Sequence, residues 1–303
     1  MDKKSNIFVI IVTYKGMRWY DKCFGSLRAS TIPVQTIVVD NTPGDEDTEY
    51  IQEHFPEVHL VKTNENLGFG RANNLGMRYA LDNGCDYVFL LNQDTWIEPD
   101  SIEKLIKIVE IHSGYGIVSP IHLNAECSAI NMNIGLGVHY RNEQLLSDLY
   151  LGRVHELYET NYVNAAAWLL PRKTLEVVGG FDPIFKHYEE DDNYINRVLY
   201  HGLRIGVCPS SRIVHDHQDS KLSNERLKIR QQQYLLVDWT NINQPYSVFA
   251  VIRYHMRKWT ANVLSGKWQQ AKAHRQVIQY CVKMREAVQN SRRENIKIQS
   301  SWL

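Results

Sequence analysis

An α/β fold with a mostly parallel, Rossmann-like central sheet flanked by helices is the architecture this sequence predicts, and three observations carry it. Strand-length apolar runs recur at Ile7 to Val12, Thr36 to Asp40 and Tyr87 to Leu91. Stretches with helical spacing separate them. Each run gives way to polar or acidic residues: Thr13-Tyr14, Asp40-Asn41 and Asn92-Gln93-Asp94. Strands alternating with helices build parallel βαβ units. Open sheets of that kind bind ligands outside the carboxyl ends of their strands.

The elements follow in order. Ile7 to Val12 reads as a first buried strand, because it is apolar throughout and too short to cross a membrane. Arg18 to Ser30 has helical spacing in Trp19, Cys23 and Leu27. Thr36 to Asp40 is a second strand, stopped by the turn-forming Asn41-Thr42-Pro43-Gly44. His59 to Val61 is a short third strand. Arg71 to Leu81 is helical, with Ala72, Leu75, Tyr79 and Ala80 on its inner side. The strand that ends at Asp94 follows. Ser101 to Ile111 is a helix begun by Pro99 and Asp100. Gly116 to Pro120, Ile134 to Tyr140 and Asn161 to Leu170 read as strands without clear helical crossovers. Asp192 to His201 is a helix with Ile195, Val198 and Leu199 inward, closed by Gly202. Leu203 to Val207 and Arg212 to Val214 are two further strands, and from Asn224 onward the pattern is nearly all helical. No internal repeat or low-complexity linker interrupts the chain.

Bulk properties narrow the class. The chain has 303 residues, 44% hydrophobic and 22% charged, enough for a sizeable core and unlike a disordered protein. Five scattered cysteines without CxxC spacing point to reduced thiols in a cytosolic protein. No signal peptide is expected, and no segment reaches the roughly 20 apolar residues of a membrane span. The formal charge is zero but lopsided: from Tyr246 to Leu303 there are 11 Lys or Arg against 2 Asp or Glu. Aromatic residues are interleaved with these cations, a pattern that suits either contact with anionic lipid headgroups or a solvated helical face packed on the rest of the protein. No nucleic-acid module is present.

The chemistry-bearing residues fall at the strand ends and in two acidic groups. Tyr14 can stack on a base, and Asp40 can accept hydrogen bonds from base or ribose. The segment Asn66-Leu67-Gly68-Phe69-Gly70-Arg71-Ala72-Asn73-Asn74 lets backbone approach a ligand, and Arg71 offers a fork for phosphate. Asp94 can hold a divalent cation against a diphosphate. About 100 residues later comes Glu189-Glu190-Asp191-Asp192. One or two acids would satisfy a helix N-terminus. Four repel one another unless a cation or donor compensates, and like-charged neighbours raise a carboxylate pKa toward that of a general base. Val214-His215-Asp216-His217 follows a strand, and an imidazole beside oxygen ligands suits Mn²⁺ or Mg²⁺. Each residue alone also has a bland reading as a turn former or cap; the joint arrangement is what points to group transfer from a nucleotide.

This order of motifs resembles the family 2 glycosyltransferases with the GT-A fold, especially the bacterial rhamnosyltransferase-like branch. The resemblance runs from about Asn6 to about Ser220. It rests on Val12-Thr13-Tyr14, Val38-Val39-Asp40-Asn41, the Asn66 to Asn74 segment, Leu91-Asn92-Gln93-Asp94, Gly179-Gly180-Phe181-Asp182, Glu190-Asp191, and His215 five residues before Ser220. It implies a GT-A catalytic domain over 1–220, with a nucleotide-binding half at about 1–98 and an acceptor half at about 99–220, followed by a basic helical region over 221–303. It implies that Thr13, Tyr14, Asp40, Asn66, Gly68, Arg71, Asn74 and Asn92 hold the nucleotide. Asp94 and His215 would bind Mn²⁺ or Mg²⁺, and Asp191 would be the base of an inverting transfer. Ala166 and Trp168, within the 164–168 segment, would line the acceptor and donor-sugar side. Two departures stand out. Asn92 replaces the first acid of the Asp-Xaa-Asp motif. The usual Glu-Asp-Xaa-Asp reads Glu190-Asp191-Asp192-Asn193, which keeps Asp192 as a rival base beside Glu190.

The expected activity is transfer of a sugar from dTDP-rhamnose or a UDP-hexose to a hydroxyl of a glycan or lipid-linked acceptor in cell-surface polysaccharide synthesis. The alternatives are a non-catalytic sugar-nucleotide-binding or scaffold subunit and a sugar nucleotidyltransferase. The latter class has a Gly-Xaa-Gly-Xaa-Arg opening with a following Lys, which is missing here. Expected partners are the donor, the acceptor and an anionic membrane touching 246–303, with no nucleic acid; a homodimer is left open. The expected location is the cytoplasm, including the inner face of the cell membrane.

Overall fold

The computed structural model describes residues 5–44, 46–131, 143–216, 223–299 and 301–303. Nine strands form one sheet in the order β3-β2-β1-β4-β8-β6-β9-β5, with β7 (Tyr158–Thr160) pairing to β9 off that path. The first four, β1 (Ile7–Thr13), β2 (Gln35–Asp40), β3 (His59–Lys62) and β4 (Tyr87–Asn92), are mutually parallel. Helices α1 (Met17–Arg28), α2 (Glu46–His54) and α3 (Phe69–Asp82) cross between them. In this register Thr13 lies beside Asp40, and Val12 beside Asn92, so all three strands end on one edge.

The rest of the sheet is mixed. β8 (Ala167–Pro171) runs antiparallel to β4, and β6 (Tyr115–Leu123) antiparallel to β8. β9 (Arg204–His215) runs parallel to β6, and β5 (Thr95–Ile97) antiparallel to β9. Helix α4 (Ser101–Ile111) lies between β5 and β6 in the chain. Next come α5 (Glu143–Leu151), α6 (Arg172–Val177) and α7 (Glu190–Tyr200). Three helices close the chain: α8 (Asn224–Thr240), α9 (Val248–Leu264) and α10 (Trp268–Asn295).

The apolar strands are buried on both faces, as parallel strands between helical layers must be. Ile7, Val9 and Ile11 enter one core cluster with Tyr20, Phe24 and Leu105. Phe8 and Ile10 enter the other with Ala72, Trp168 and Tyr194. A third cluster, Phe185 with Leu236, Trp239, Cys281 and Val288, joins the segment before α7 to the C-terminal helices. The five cysteines are free, and four of them are buried.

Several local expectations need correction. The run 161–170 is not one strand: β7 ends at Thr160, the next six residues form no strand, and β8 begins at Ala167. The two strands expected at 203–207 and 212–214 are one, β9, whose register against β6 jumps between Pro120 and Ile121. Leu75 is 42% exposed and Leu199 37%. The buried side of α3 is made instead by Ala72, Asn73, Asn74, Gly76, Met77 and Ala80. Helix α2 and strand β5 carry too little apolar signal to stand out in the sequence. The strand expected at 134–140 lies outside the described residues, as do His217 and Ser220. No described helix is long and apolar enough to cross a membrane.

Candidate active site

A cavity of about 980 Å³ opens at the edge where β1, β2 and β4 end. Its first wall comes from these strand ends and the loop before α3: Val12, Tyr14, Asn41, Asn66, Gly68, Phe69, Asn92, Gln93 and Asp94. Gln93 grips the backbone of Tyr14 from both sides, its Oε1 accepting from the amide (2.9 Å) and its Nε2 donating to the carbonyl (3.1 Å). Gly68 has φ +80°, and a Cβ there would stand 2.3 Å from the Lys186 carbonyl. Only glycine fits that approach.

Antiparallel pairing assembles the second wall. Ala166 accepts the Asn92 amide (2.9 Å), one step beyond the Leu91–Ala167 pair. Thr95 of β5 pairs with His215 of β9, and the Asp216 amide donates to the Asp94 carbonyl. His215 Nε2 thereby comes within 3.4 Å of Asp94 Oδ1. Both side chains line the cavity. Behind His215 lies His122, fully buried, which burial and the neighbouring His215 hold well below the ordinary imidazole range.

The acidic group forms the floor. Glu189, Glu190, Asp191 and Asp192 all line the cavity at the start of α7. Burial pushes Glu190 up to about 8, with the charge of Asp191 adding to it. Burial, then the charge of Asp192, raises Asp191 to about 7, although backbone amides stabilise its ionised form. Glu189 is raised by burial as well, and Arg230 relieves part of this across 3.2 Å. Tyr188 and Glu189 are both left-handed, at φ +69° and +66°. Non-glycine residues pay strain for that conformation, which persists only where surrounding structure imposes it.

The structure brings Tyr14, Asn66, Gly68, Asn92, Asp94, Ala166, Glu190, Asp191, Asp192 and His215 to this one cavity. Five other residues singled out from the sequence lie off its surface. Thr13 and Asp40 are fully buried; Asp40 accepts from Thr13 Oγ1 (3.1 Å), the Thr42 amide (2.9 Å) and Thr48 Oγ1 (2.7 Å). Asn74 is engaged at both ends of its amide by the Phe181 backbone. Arg71 Nε donates to the Leu67 carbonyl. Trp168 is buried against Phe181 and Tyr194.

Sequence reasoning missed Tyr162, His187, Tyr188, Arg226, Ile229, Arg230 and Tyr234, which complete the lining. The last four recur at helical spacing along one side of α8, a signal visible in the sequence but with nothing to tie it to the site.

The Asp94–His215 pair fits a divalent ion. Cis donors at roughly 2.1 Å around an octahedral ion stand about 3 Å apart, so this pair, at 3.4 Å, would close slightly on such an ion. Among the described residues no group of three or more His, Cys, Asp or Glu side chains could hold a metal. An ion here would take its remaining ligands from phosphate oxygens and water, the usual habit of Mg²⁺ beside diphosphates.

Comparison with known proteins agrees with this architecture. Residues 8–148 match the model of the family described as Glycosyl transferase family 2. The chain is 25% identical over 214 residues to the low-salt glycan biosynthesis hexosyltransferase Agl10 of Haloferax volcanii, covering 70% of this chain and 67% of that protein. It is 23% identical over 219 residues to the dTDP-rhamnosyl transferase RfbF of Shigella flexneri, covering 70% and 69%. It is 25% identical over 240 residues to an N-acetylglucosaminyl-diphospho-decaprenol L-rhamnosyltransferase of Mycobacterium tuberculosis, covering 68% and 75%. Among solved structures, S. aureus TarS 1–349 in complex with UDP superposes with a TM-score of 0.53 at 14% identity, over 78% of this chain and 66% of that one. GalNAc-T7 with UDP, GalNAc and Mn²⁺ gives 0.57 at 13%, over 78% and 48%. The strand-end cavity, the match of residues 8–148 and these neighbours agree: that stretch is similar to the family 2 glycosyltransferases, relatives named for rhamnosyl transfer are similar over about 70% of the chain, and the fold is GT-A.

Proposed function

We propose that the protein transfers a sugar, with inversion at the anomeric carbon, from dTDP-rhamnose or a UDP-hexose to a hydroxyl of a glycan or lipid-linked acceptor in cell-surface polysaccharide synthesis. One observation carries this reading: Asp94 and Asp191, distant in the chain, line the same cavity. The relatives named for hexosyl and rhamnosyl transfer support the donor class, and the decaprenol-linked one supports a lipid-diphosphate acceptor.

Residues 1–98 would supply the nucleotide side, with Tyr14 against the base and Asn66, Gly68 and Asn92 near ribose and phosphate. Thr13, Asp40, Arg71 and Asn74 would act from behind that surface by holding its shape. Residues 99–220 would supply the acceptor side, with Ala166 on its surface and Trp168 beneath. An acceptor hydroxyl placed in line behind the anomeric carbon attacks as Asp191 takes its proton. The bond from that carbon to the diphosphate oxygen breaks, and the nucleoside diphosphate leaves with the electron pair. Asp191 suits this task because its raised pKa makes it a stronger base than an exposed carboxylate while leaving it ionised above about pH 7. Asp192 and Glu190 stand as its alternates. Mn²⁺ or Mg²⁺ held by Asp94 and His215 would supply Lewis-acid neutralisation of the leaving diphosphate.

The 246–303 region would meet an anionic membrane on the cytoplasmic side. Phe249, Leu264 and Trp268 are 85%, 83% and 68% exposed among Arg253, Arg257, Lys258, Lys267 and Lys272. Exposed apolar groups ringed by cations favour such a surface. Thermal-shift titration with nucleotide sugars and Mn²⁺, followed by assay of nucleoside diphosphate release, tests the main reading. A true donor raises the melting temperature by mass action and is consumed; stabilisation without release would leave a binding subunit.

A further inference from the structure

The Gly179-Gly180-Phe181-Asp182 motif contributes nothing to the cavity lining, yet Asp182 is 2% exposed and densely hydrogen-bonded. Its Oδ2 accepts from Ser291 Oγ (2.6 Å) and Asn295 Nδ2 (2.9 Å), both in the last turns of α10. Its Oδ1 accepts from the Ile184 amide (3.0 Å), which starts the turn leading toward the left-handed Tyr188–Glu189 pair and α7.

Asn295 is a hub. Besides Asp182 it donates to Ser291 Oγ (3.1 Å), its Oδ1 accepts from Trp302 Nε1 (2.9 Å), and its carbonyl lies 3.0 Å from His201 Nε2, just past the end of α7. The residue before Trp302 completes the clip. The Ser301 carbonyl accepts the Gly180 amide (2.8 Å), and a Cβ at Gly179 would stand 2.1 Å from that same oxygen. On the other side of the motif the fully buried Arg197 of α7 donates to the carbonyls of Gly180 and Val178. Along its length α7 is held again by Asn193 Nδ2 donating to Thr240 Oγ1 (3.1 Å) and by Asn243 Nδ2 donating to the Asn196 carbonyl (2.8 Å).

We infer that Asn295, acting through Asp182, is a positioning residue for the helix that presents Asp191. This rests on the proposed transferase reading. The last turn of α10 bonds to the chain both before α7, at Asp182, and after it, at His201. A helix fixed at both ends, and tied by its own Arg197 to the same motif, cannot shift its first turn without breaking buried hydrogen bonds. The C-terminal helices are then a part of the catalytic apparatus.

The test separates turnover from nucleotide binding, because the nucleotide side meets this motif through Asn74 at the Phe181 backbone and not at Asp182 or Asn295. In Asn295→Ala, nucleoside diphosphate release from the donor used by the wild type should fall about tenfold or more, since misplacing a reacting group by about 1 Å can cost a hundredfold. Affinity for UDP or dTDP, read by thermal shift, should stay within about twofold on the same account. Ser291→Ala removes one of the two bonds from α10, so it should fold normally and show a smaller loss of the same kind. The exchange variant D182N/N295D, which restores a carboxylate–amide pair with reversed roles, should recover turnover relative to either single change. Unchanged turnover in both alanine variants would overturn the inference. So would nucleotide affinity falling in step with turnover, which marks general loosening. A wild type that releases no nucleoside diphosphate from any donor would remove the transferase reading on which this one stands.

Discussion

The strand-end wall of the cavity and its acidic floor are built in opposite ways. On the strand-end wall the polar groups are satisfied inside the protein: Asp40 takes three hydrogen bonds, Asn74 is used at both ends, and Gln93 clasps Tyr14. At the start of α7 the acids crowd together, Glu190 Oε2 is buried with no hydrogen-bond partner among the described residues, and the pKa of Asp191 is displaced upward. A satisfied network makes a rigid, unreactive surface, suited to recognising a fixed ligand. A crowded acidic cluster, compensated in part by Arg230 and backbone amides, stores free energy that a proton, cation or hydroxyl can release. On the proposed reading, binding falls to a wall that is already at rest and chemistry to a floor that is not.

The largest effect should come from Asp191→Asn, which removes the proposed base while keeping its shape. Transfer should drop about 10²- to 10⁴-fold, the usual contribution of general acid–base catalysis. Nucleotide affinity should hold, which thermal shift checks; equal activity would move the base to Asp192 or Glu190. In the unsubstituted protein, turnover should decline as pH falls below about 7, because Asp191 must be ionised to accept a proton. Next, EDTA should abolish turnover, and Mn²⁺ or Mg²⁺ should restore it. Full activity in the chelator would take Asp94 and His215 out of metal binding.

On the quiet wall the change expected is in stability. Asp40→Ala strands the donors of Thr13, Thr42 and Thr48. Thr48 is only half-buried, so at roughly 1–3 kcal/mol for each of the two buried donors the total is about 2 kcal/mol or more, measurable by urea unfolding. A loss below about 0.5 kcal/mol would show that water replaces the carboxylate, as for an exposed surface site.

The acidic floor should make stability depend on pH. Folded Glu190 keeps its proton up to about pH 8, whereas its ordinary value is 4.5. Between those values the folded state binds more protons than the unfolded one, so this contribution is fully present below the ordinary value and is lost as pH rises through about 8. Melting temperature should therefore rise on mild acidification, and Glu190→Gln should flatten the trend. The weakest expected effect is on flotation with vesicles. Phosphatidylglycerol vesicles should carry the protein, neutral phosphatidylcholine should not, and Trp268→Ala should weaken the contact. No binding to either would end the membrane reading.

How much was legible depended on how far apart the cooperating residues lie. β1, β2 and β4 could be read because strands buried on both faces must be apolar throughout, and their polar ends then had to converge. Asp94 and the acids at 189–192 stood out as charge against that background. Leu75 and Leu199 misled because helical spacing identifies a face, not which face is covered; small and polar residues around Gly76 take the inner position on α3. Strand β5 and helix α2 are too short or too polar to announce themselves. Tyr162, Tyr188 and Tyr234 come from three separate segments, and only the tertiary fold brings them to one cavity.

The jump in register along β9 has a consequence for natural variation. Cys208 pairs with Pro120 and Arg212 with Ile121, so three residues bulge out where the partner strand has none. They act as a spacer of fixed count: because side chains alternate along a strand, dropping one would turn the imidazole at 215 to the opposite side and away from Asp94. Substitution should be tolerated at the exposed Ser210 and not at Ser211, which is buried with its Oγ donating to the Ser101 carbonyl (3.0 Å).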